Sequence, residues 1–211
     1  MHKPQQISTD NGVLQFPTCK LSNEKLIEGI ISGSPAAARQ FHRRYSASIS
    51  RRVWRLIGTD TEHEDIVQQV LVAVISGMKT IKKPEALDSW IRGVTIRIVR
   101  DELRRRKRKR QFVAAAVDIN DDTSPDPNSP WKQSHIRSFY TILGKMRPDD
   151  RVVFVLKHLE GYTNERIAQY CNYSVSTVKR RIERAKAHFY NEAMTDYTLM
   201  SLVGNEYDVN G

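Results

Sequence analysis

Between Asp118 and Pro130 the chain places three prolines and four aspartates in thirteen residues. Proline lacks the amide that a helix or sheet requires, and closely spaced carboxylates bury little, so no packed element runs through this stretch. Folding must happen on either side of it, in two small modules. On both sides apolar residues recur at helical spacing, and no alternating β-branched run exceeds a few residues. The expected class is all-α: two small helical domains joined by a flexible linker. The expected divisions are a flexible N-terminal arm (1–20), a first helical block (21–112), an acidic proline-rich linker (113–133), a second helical block (134–194) and a C-terminal tail (195–211).

Local signals refine this. In the first block the pattern predicts helices over about Ser22–Ser32, Pro35–Ile57, Thr61–Ser76 and Asp88–Arg110. Gly33, Gly58 and Gly77 stand where helices stop, and Thr61-x-x-Glu64 is a capping box. A lysine-rich loop, Met78–Leu87, joins the last two helices. In the second block the helices are Trp131–Lys145, Pro148–Leu159, Asn164–Tyr170 and Val175–Met194, with Pro148 at a first helical position and Gly161 as a stop.

Charge then narrows the function. The net formal charge is +10. Residues 1–112 carry a net +11 and residues 113–211 a net −1, which suggests a polyanionic partner for the first block. No unbroken apolar run is longer than that of Val70–Ile75, far short of the roughly 20 residues of a membrane span, so no membrane insertion is expected. Residues 1–20 lack the apolar core of a signal peptide. Two cysteines, Cys19 and Cys171, with no CxxC argue against a disulfide framework or zinc site and for a reducing, cytoplasmic setting.

Three segments carry chemistry. The first is a short helix carrying Ile167 and Ala168, a turn at Cys171–Ser174, and a second helix capped by Ser174. Val175, Val178, Ile182, Ala185 and Phe189 share one face of that helix. Ser176, Thr177, Arg180 and Arg184 lie opposite, beside Lys179. Short hydroxyls at the N-terminal end and long cations beyond them suit a recognition helix in a major groove. A solvated basic face would share the spacing, but the turn and the missing acidic stripe favour DNA.

The second is the helix over 88–110. Ile91, Val94, Ile98, Val99 and Leu103 form its buried side, Arg97, Arg100 and Arg104 fall within a 60° arc at 100° per residue, and Arg104–Arg110 is an unbroken run of seven cations. Such a run costs stability unless an anion is close. The third is the helix after Thr61, whose Asp65, Gln68 and Gln69 form a polar face that a protein could read, or that water simply covers. Trp54 and Trp90 could stack on unpaired bases, though core packing is the stronger expectation for both.

Together these segments resemble a bacterial RNA polymerase sigma factor of the extracytoplasmic-function (ECF) type. Glu62–Leu71 is similar to the family's region 2.2, Trp90–Arg106 to regions 2.3 and 2.4, and Leu143–Ala187 to region 4. The resemblance implies no catalysis, no cofactor, no metal and no small-molecule substrate. It implies a sigma region 2 helical bundle and a sigma region 4 helix–turn–helix that bind core RNA polymerase and promoter DNA in transcription initiation. Asp65, Gln68 and Gln69 match the helix that docks on the polymerase. Lys79, Lys82, Lys83, Trp90, Arg92, Arg97, Arg100 and Arg104 match the segment that handles the −10 element. Ser176, Thr177, Lys179, Arg180 and Arg184 match the helix that reads the −35 element. An anti-sigma factor is a further implied partner. In the family the linker threads through the polymerase, where the aspartates at 118–126 could mimic nucleic-acid charge.

The sequence also departs from the family pattern. Gln69 replaces a usual acidic residue, Cys171-Asn172 replaces Leu-Gly, and Thr163 faces Arg166 rather than an acidic capping partner. The alternative is a stand-alone helix–turn–helix regulator of transcription. An enzyme on nucleic acid is disfavoured, because Glu62, Glu64 and Asp65 sit at a helix start, where the dipole favours them without any metal.

Overall fold

A computed structural model describes residues 21–58, 62–116, 134–196 and 198–199. The N-terminal arm, most of the acidic linker and most of the C-terminal tail, with Cys19 and Thr61, lie outside the described residues. Among those described there are eight α-helices and no strand. They are α1 (Asn23–Ile31), α2 (Pro35–Ile57), α3 (His63–Gly77), α4 (Leu87–Ala116), α5 (Ser134–Lys145), α6 (Pro148–His158), α7 (Asn164–Cys171) and α8 (Val175–Ala193).

Caps explain most boundaries. Ser22, Ser34, Thr163 and Ser174 each accept a backbone N–H from the first turn of α1, α2, α7 and α8. Thr163 caps without a reciprocal acid. Asn172 ends α7 in the left-handed region at φ 55°, so it does the work of the glycine it replaces. Gly58 ends α2 at φ +81°, and the Tyr140 ring sits so close that a Cβ there would stand 2.6 Å from its Cδ1.

Two expectations need correction. Gly77 is not a left-handed stop. It ends α3 at φ −84°, and its missing Cβ instead makes room for Trp90, whose ring would be 2.9 Å away. At the start of α3 Glu62 stands at the cap and makes no side-chain capping bond, and Thr61, with the expected capping box, lies outside the described residues. Finally, α4 continues to Ala116, past the expected break at 113, because Val113–Ala116 offers nothing that stops a helix.

The first module packs α2, α3 and α4 around Phe41, Ile49, Ile66, Val74, Leu87 and Ile96. The second packs α6 against α8 and α7 around Leu143, Leu156, Ile167 and Val178. The modules also touch each other. Helix α4 lies along α6 and α7, and the C-terminal end of α2 meets α6. There Arg151, itself buried, donates from Nε to the Leu56 carbonyl at 2.8 Å and from Nη2 to the Ile57 carbonyl at 2.5 Å. It satisfies two carbonyls that the end of α2 leaves without helical partners.

Candidate nucleic-acid interface

The α7–turn–α8 unit places Ser174, Ser176 and Thr177 as a cluster of hydroxyls, with Ser174 Oγ 2.9 Å from each of the other two. They surround the N-terminus of α8, where free amides and the helix dipole favour a phosphate. One turn on, Lys179 and Arg180 are exposed and form no ion pair. Val178, Ile182 and Ala185 bury the opposite face.

Arg184 behaves differently from its neighbours. Its Nε lies 2.6 Å from Asp150 Oδ2 and its Nη2 2.6 Å from Oδ1, a two-pronged pair with a carboxylate that is 4% exposed. Arg181 adds a bond to Asp150 Oδ1 at 2.9 Å and lies 4.8 Å from the Tyr173 ring centroid. Arg184 is thus committed to α6, and the outward cations in the first two turns of α8 are Lys179 and Arg180.

On α4 the candidate cations divide. Arg97 is exposed and unpaired, as are Lys79 in the short 3-10 turn Met78–Thr80, and Lys82 and Lys83 between that turn and the next, Pro84–Ala86, before it. Trp90 is half-buried against Gly77, so it packs on the core rather than standing free. Arg92, Arg100 and Arg104 all turn toward the second module. Arg92 Nε donates to the Tyr170 hydroxyl at 3.2 Å, Arg100 Nη1 to the Cys171 carbonyl at 2.5 Å, and Arg104 Nε to Asp149 Oδ1 at 3.0 Å. Arg105 and Arg106 converge on Glu102, which is 6% exposed, and Arg106 also reaches Glu62. The protein therefore supplies its own anions for the first three members of the seven-cation run and leaves Lys107–Arg110 without ion pairs.

On α3, Asp65, Gln68 and Gln69 are exposed, as the helical spacing predicts. Sequence reasoning missed what flanks them. Val72, one turn on from Gln68, is 63% exposed, and Ile75 is 44% exposed. An apolar patch bordered by polar side chains marks a protein-contact surface. The available signal was the α3 pattern itself, which is apolar at Val72 and Ile75 off the buried stripe.

The interface carboxylates share one electrostatic logic. Burial pushes Asp149, Asp150 and Glu160 up, but hydrogen bonds and charge from Arg104 and Tyr173, from Arg184 and Arg181, and from Arg55 and Arg52 outweigh it, leaving each below its ordinary value. A carboxylate depressed in the folded state adds stability above its unfolded pKa and loses it as pH falls through the folded one. The chain should therefore hold its packing across neutral pH and loosen below about pH 4. Trp54 lies edge-on to Tyr140 with ring centroids 5.4 Å apart, so tryptophan fluorescence should follow the change. A flat acid titration down to about pH 3 would contradict the assignment.

Residues 41–109 match the family "Sigma-70 region 2" and residues 136–189 match "Sigma-70, region 4". Among curated proteins the chain is 27% identical over 136 residues to the probable RNA polymerase sigma factor RfaY of Xanthomonas campestris, covering 62% of this chain and 34% of that one. It is 25% identical over 146 residues to the ECF RNA polymerase sigma factor SigE of Mycolicibacterium smegmatis, covering 68% and 56%. It is 27% identical over 123 residues to the RNA polymerase sigma factor SigV of Bacillus subtilis, covering 57% and 69%. The match thus spans from about a third to just over two thirds of these relatives' lengths. Among solved structures, CnrH in complex with the cytosolic domain of CnrY matches with a TM-score of 0.55 at 22% identity, covering 83% of this chain and 99% of that one. RpoE in complex with the anti-sigma factor NepR, from Bartonella quintana, matches with a TM-score of 0.56 at 19% identity, covering 75% and 97%. At these identities the structural likeness establishes the fold.

Proposed function

Because this chain belongs to the sigma-70 family of RNA polymerase sigma factors, in its extracytoplasmic-function group, we propose that it binds core RNA polymerase and directs promoter-specific initiation of transcription. The observation that carries this reading is the order of parts. A region 2 match and a region 4 match fall on two helical modules, with the polar face of α3 exposed on one and the hydroxyl-and-cation end of α8 exposed on the other.

In this reading α3 docks on the polymerase through Asp65, Gln68, Gln69 and Val72. The lysine-bearing turns and α4 handle the −10 element: Lys79, Lys82, Lys83 and Arg97 are free to meet phosphates, and Arg92, Arg100 and Arg104 join them once released from the second module. The N-terminal end of α8 reads the −35 element through Ser176, Thr177, Lys179 and Arg180. The chain supplies specificity and grip and the polymerase supplies the chemistry. Among the described residues no group of three or more His, Cys, Asp or Glu side chains is gathered as for a metal ion, and no helix is long and apolar enough to cross a membrane. We extend the proposal to action in the bacterial cytoplasm and to restraint by an anti-sigma factor, for which NepR on RpoE is the precedent.

Run-off transcription with bacterial core polymerase, with start sites mapped, tests the reading. Initiation no more selective with this chain than without it would overturn it. Co-purification with core polymerase separates a sigma factor from a stand-alone helix–turn–helix regulator, which would bind DNA alone. Val72→Glu should reduce that capture at least tenfold, because it sets an unpaired charge in an apolar contact while leaving the fold intact at an exposed site. Undiminished capture would remove α3 from the docking surface.

A further inference from the structure

The C-terminal end of α8 is the open apolar part of the second module. Tyr190 is 64% and Met194 48% exposed, four residues apart on one side of the helix. Among the described residues no other large apolar side chain of that module stands so far out. Beside them Phe189 and Ala193 are half-buried, and the Phe189 ring lies 5.4 Å from Phe139 of α5 and 5.2 Å from Phe154 of α6. The aromatic layer inside the module thus continues outward onto Tyr190 and Met194.

The chain does not leave the module there. Past α8 it turns sharply, with the Thr195 and Asp196 amides donating to the Glu192 and Ala193 carbonyls at 3.2 Å each. Asp196 then opens a new helix. Its Oδ1 accepts from the Thr198 amide at 2.9 Å and the Leu199 amide at 3.1 Å, the bonding of an N-cap. Thr198 and Leu199 are helical, and the Leu199 side chain packs against the core. At 100° per residue Leu199, Leu202 and Val203 fall within a 100° arc, Ser201 lies on the other side, and Gly204 is a stop. A helix whose first apolar residue faces the module turns Leu202 and Val203 to it as well. From Asp196 to Gly204 such a helix is about 10 Å long at 1.5 Å per residue, enough to pass Met194 and Tyr190, about 6 Å apart along α8.

We infer that residues 197–203 form a helix seated on the aromatic end of α8, over Phe189, Tyr190, Ala193 and Met194, so that the chain's own tail closes the second module. The charges agree with that seat. Glu206 and Asp208 follow Gly204, and Lys186 stands one turn before Tyr190 on α8. Burial, Lys186 and Lys157 together hold His158 below its ordinary value, which marks this edge of the module as basic. The seat lies about 21 Å along α8 from Ser176, fourteen residues at 1.5 Å each. The tail therefore braces α8 from the end opposite its hydroxyls and free cations, and the inference stands apart from the promoter reading.

Hydrogen exchange on the full chain reads the tail directly. The amides of residues 200–203 should exchange at least tenfold more slowly than those of a free peptide of the same sequence. Leu202→Asp should abolish that protection, quicken exchange at 189–194 and lower the melting temperature of the second module. Ser201→Asp, the same charge on the outward side, should leave all three readings unchanged. Unprotected amides at 200–203 in the unsubstituted chain would overturn the inference, and so would equal effects from the two Asp variants.

Tyr190→p-benzoylphenylalanine identifies what covers α8. Irradiation of the purified full chain should link position 190 to the peptide holding residues 199–204 of the same molecule. A link between two molecules would instead assign the face to a second copy of the chain, and no link at all would place the tail elsewhere. Either result removes the proposed seat.

Discussion

Asp150→Ala should cost the second module about 2–3 kcal/mol, seen as a fall in melting temperature of roughly 4–12 °C, and should weaken −35 recognition with it. Asp150 is 3% exposed at the start of α6 and holds both Arg181 and Arg184 of α8. Removing it strands two guanidinium groups. The cost falls short of that for a fully buried pair because Arg184 keeps 41% of its exposure. Arg184→Ala should be milder, since Asp150 retains Arg181, and the double variant should cost less than the sum of the two. Arg180→Ala should do the reverse. Exposed and unpaired, it should leave the melting temperature within about 1 °C while reducing discrimination between mapped promoters and scrambled upstream elements. Loss of discrimination without loss of stability in Arg184→Ala would return Arg184 to the reading face.

This division of α8 shows where sequence reading succeeds. Helical period alone separates Val178, Ile182 and Ala185 from Ser176, Lys179 and Arg180, because side-chain direction in a helix follows residue number. The period cannot show that Arg184 meets an aspartate thirty-four residues earlier, because that pairing depends on how α6 crosses α8. The same limit hid the contact between the modules. Asp149 and Asp150 read as ordinary first-turn acids favoured by the dipole. Their function as anchors for Arg104, Arg181 and Arg184 needs three helices in place at once. Gly77 failed for a related reason: a glycine after a helical run predicts a left-handed cap, but here the space is taken by Trp90 from another helix. The turn at Cys171–Ser174 was legible because its cause is local: Asn172 takes the left-handed conformation more cheaply than most side chains.

Replacing Lys107, Arg108, Lys109 and Arg110 together by Gln should flatten the salt dependence of promoter binding by the polymerase complex by up to about 3.6 in log–log slope, from four contacts at about 0.9 each. Over a fourfold rise in salt, contacts of that number account for a loss of roughly 100-fold in affinity. The effect should be nearly equal on all sequences, since phosphates carry no sequence information. These four are the right probe because they have no internal ion pairs. Substituting Arg104–Arg106 instead would strand Glu102, which accepts from Arg105 and Arg106 at 2.7–2.8 Å, and would leave Asp149 with only its longer pair to Arg181, so that any loss of binding would mix with a loss of packing. The structure thus splits one basic run into a proximal part that stabilises the fold and a distal part whose repulsion is relieved only by an outside anion. An unchanged slope in the fourfold variant would mean that the distal cations are simply solvated, and would leave the grip on the downstream element to Arg97, the lysine turns and the three arginines that α4 shares with the second module.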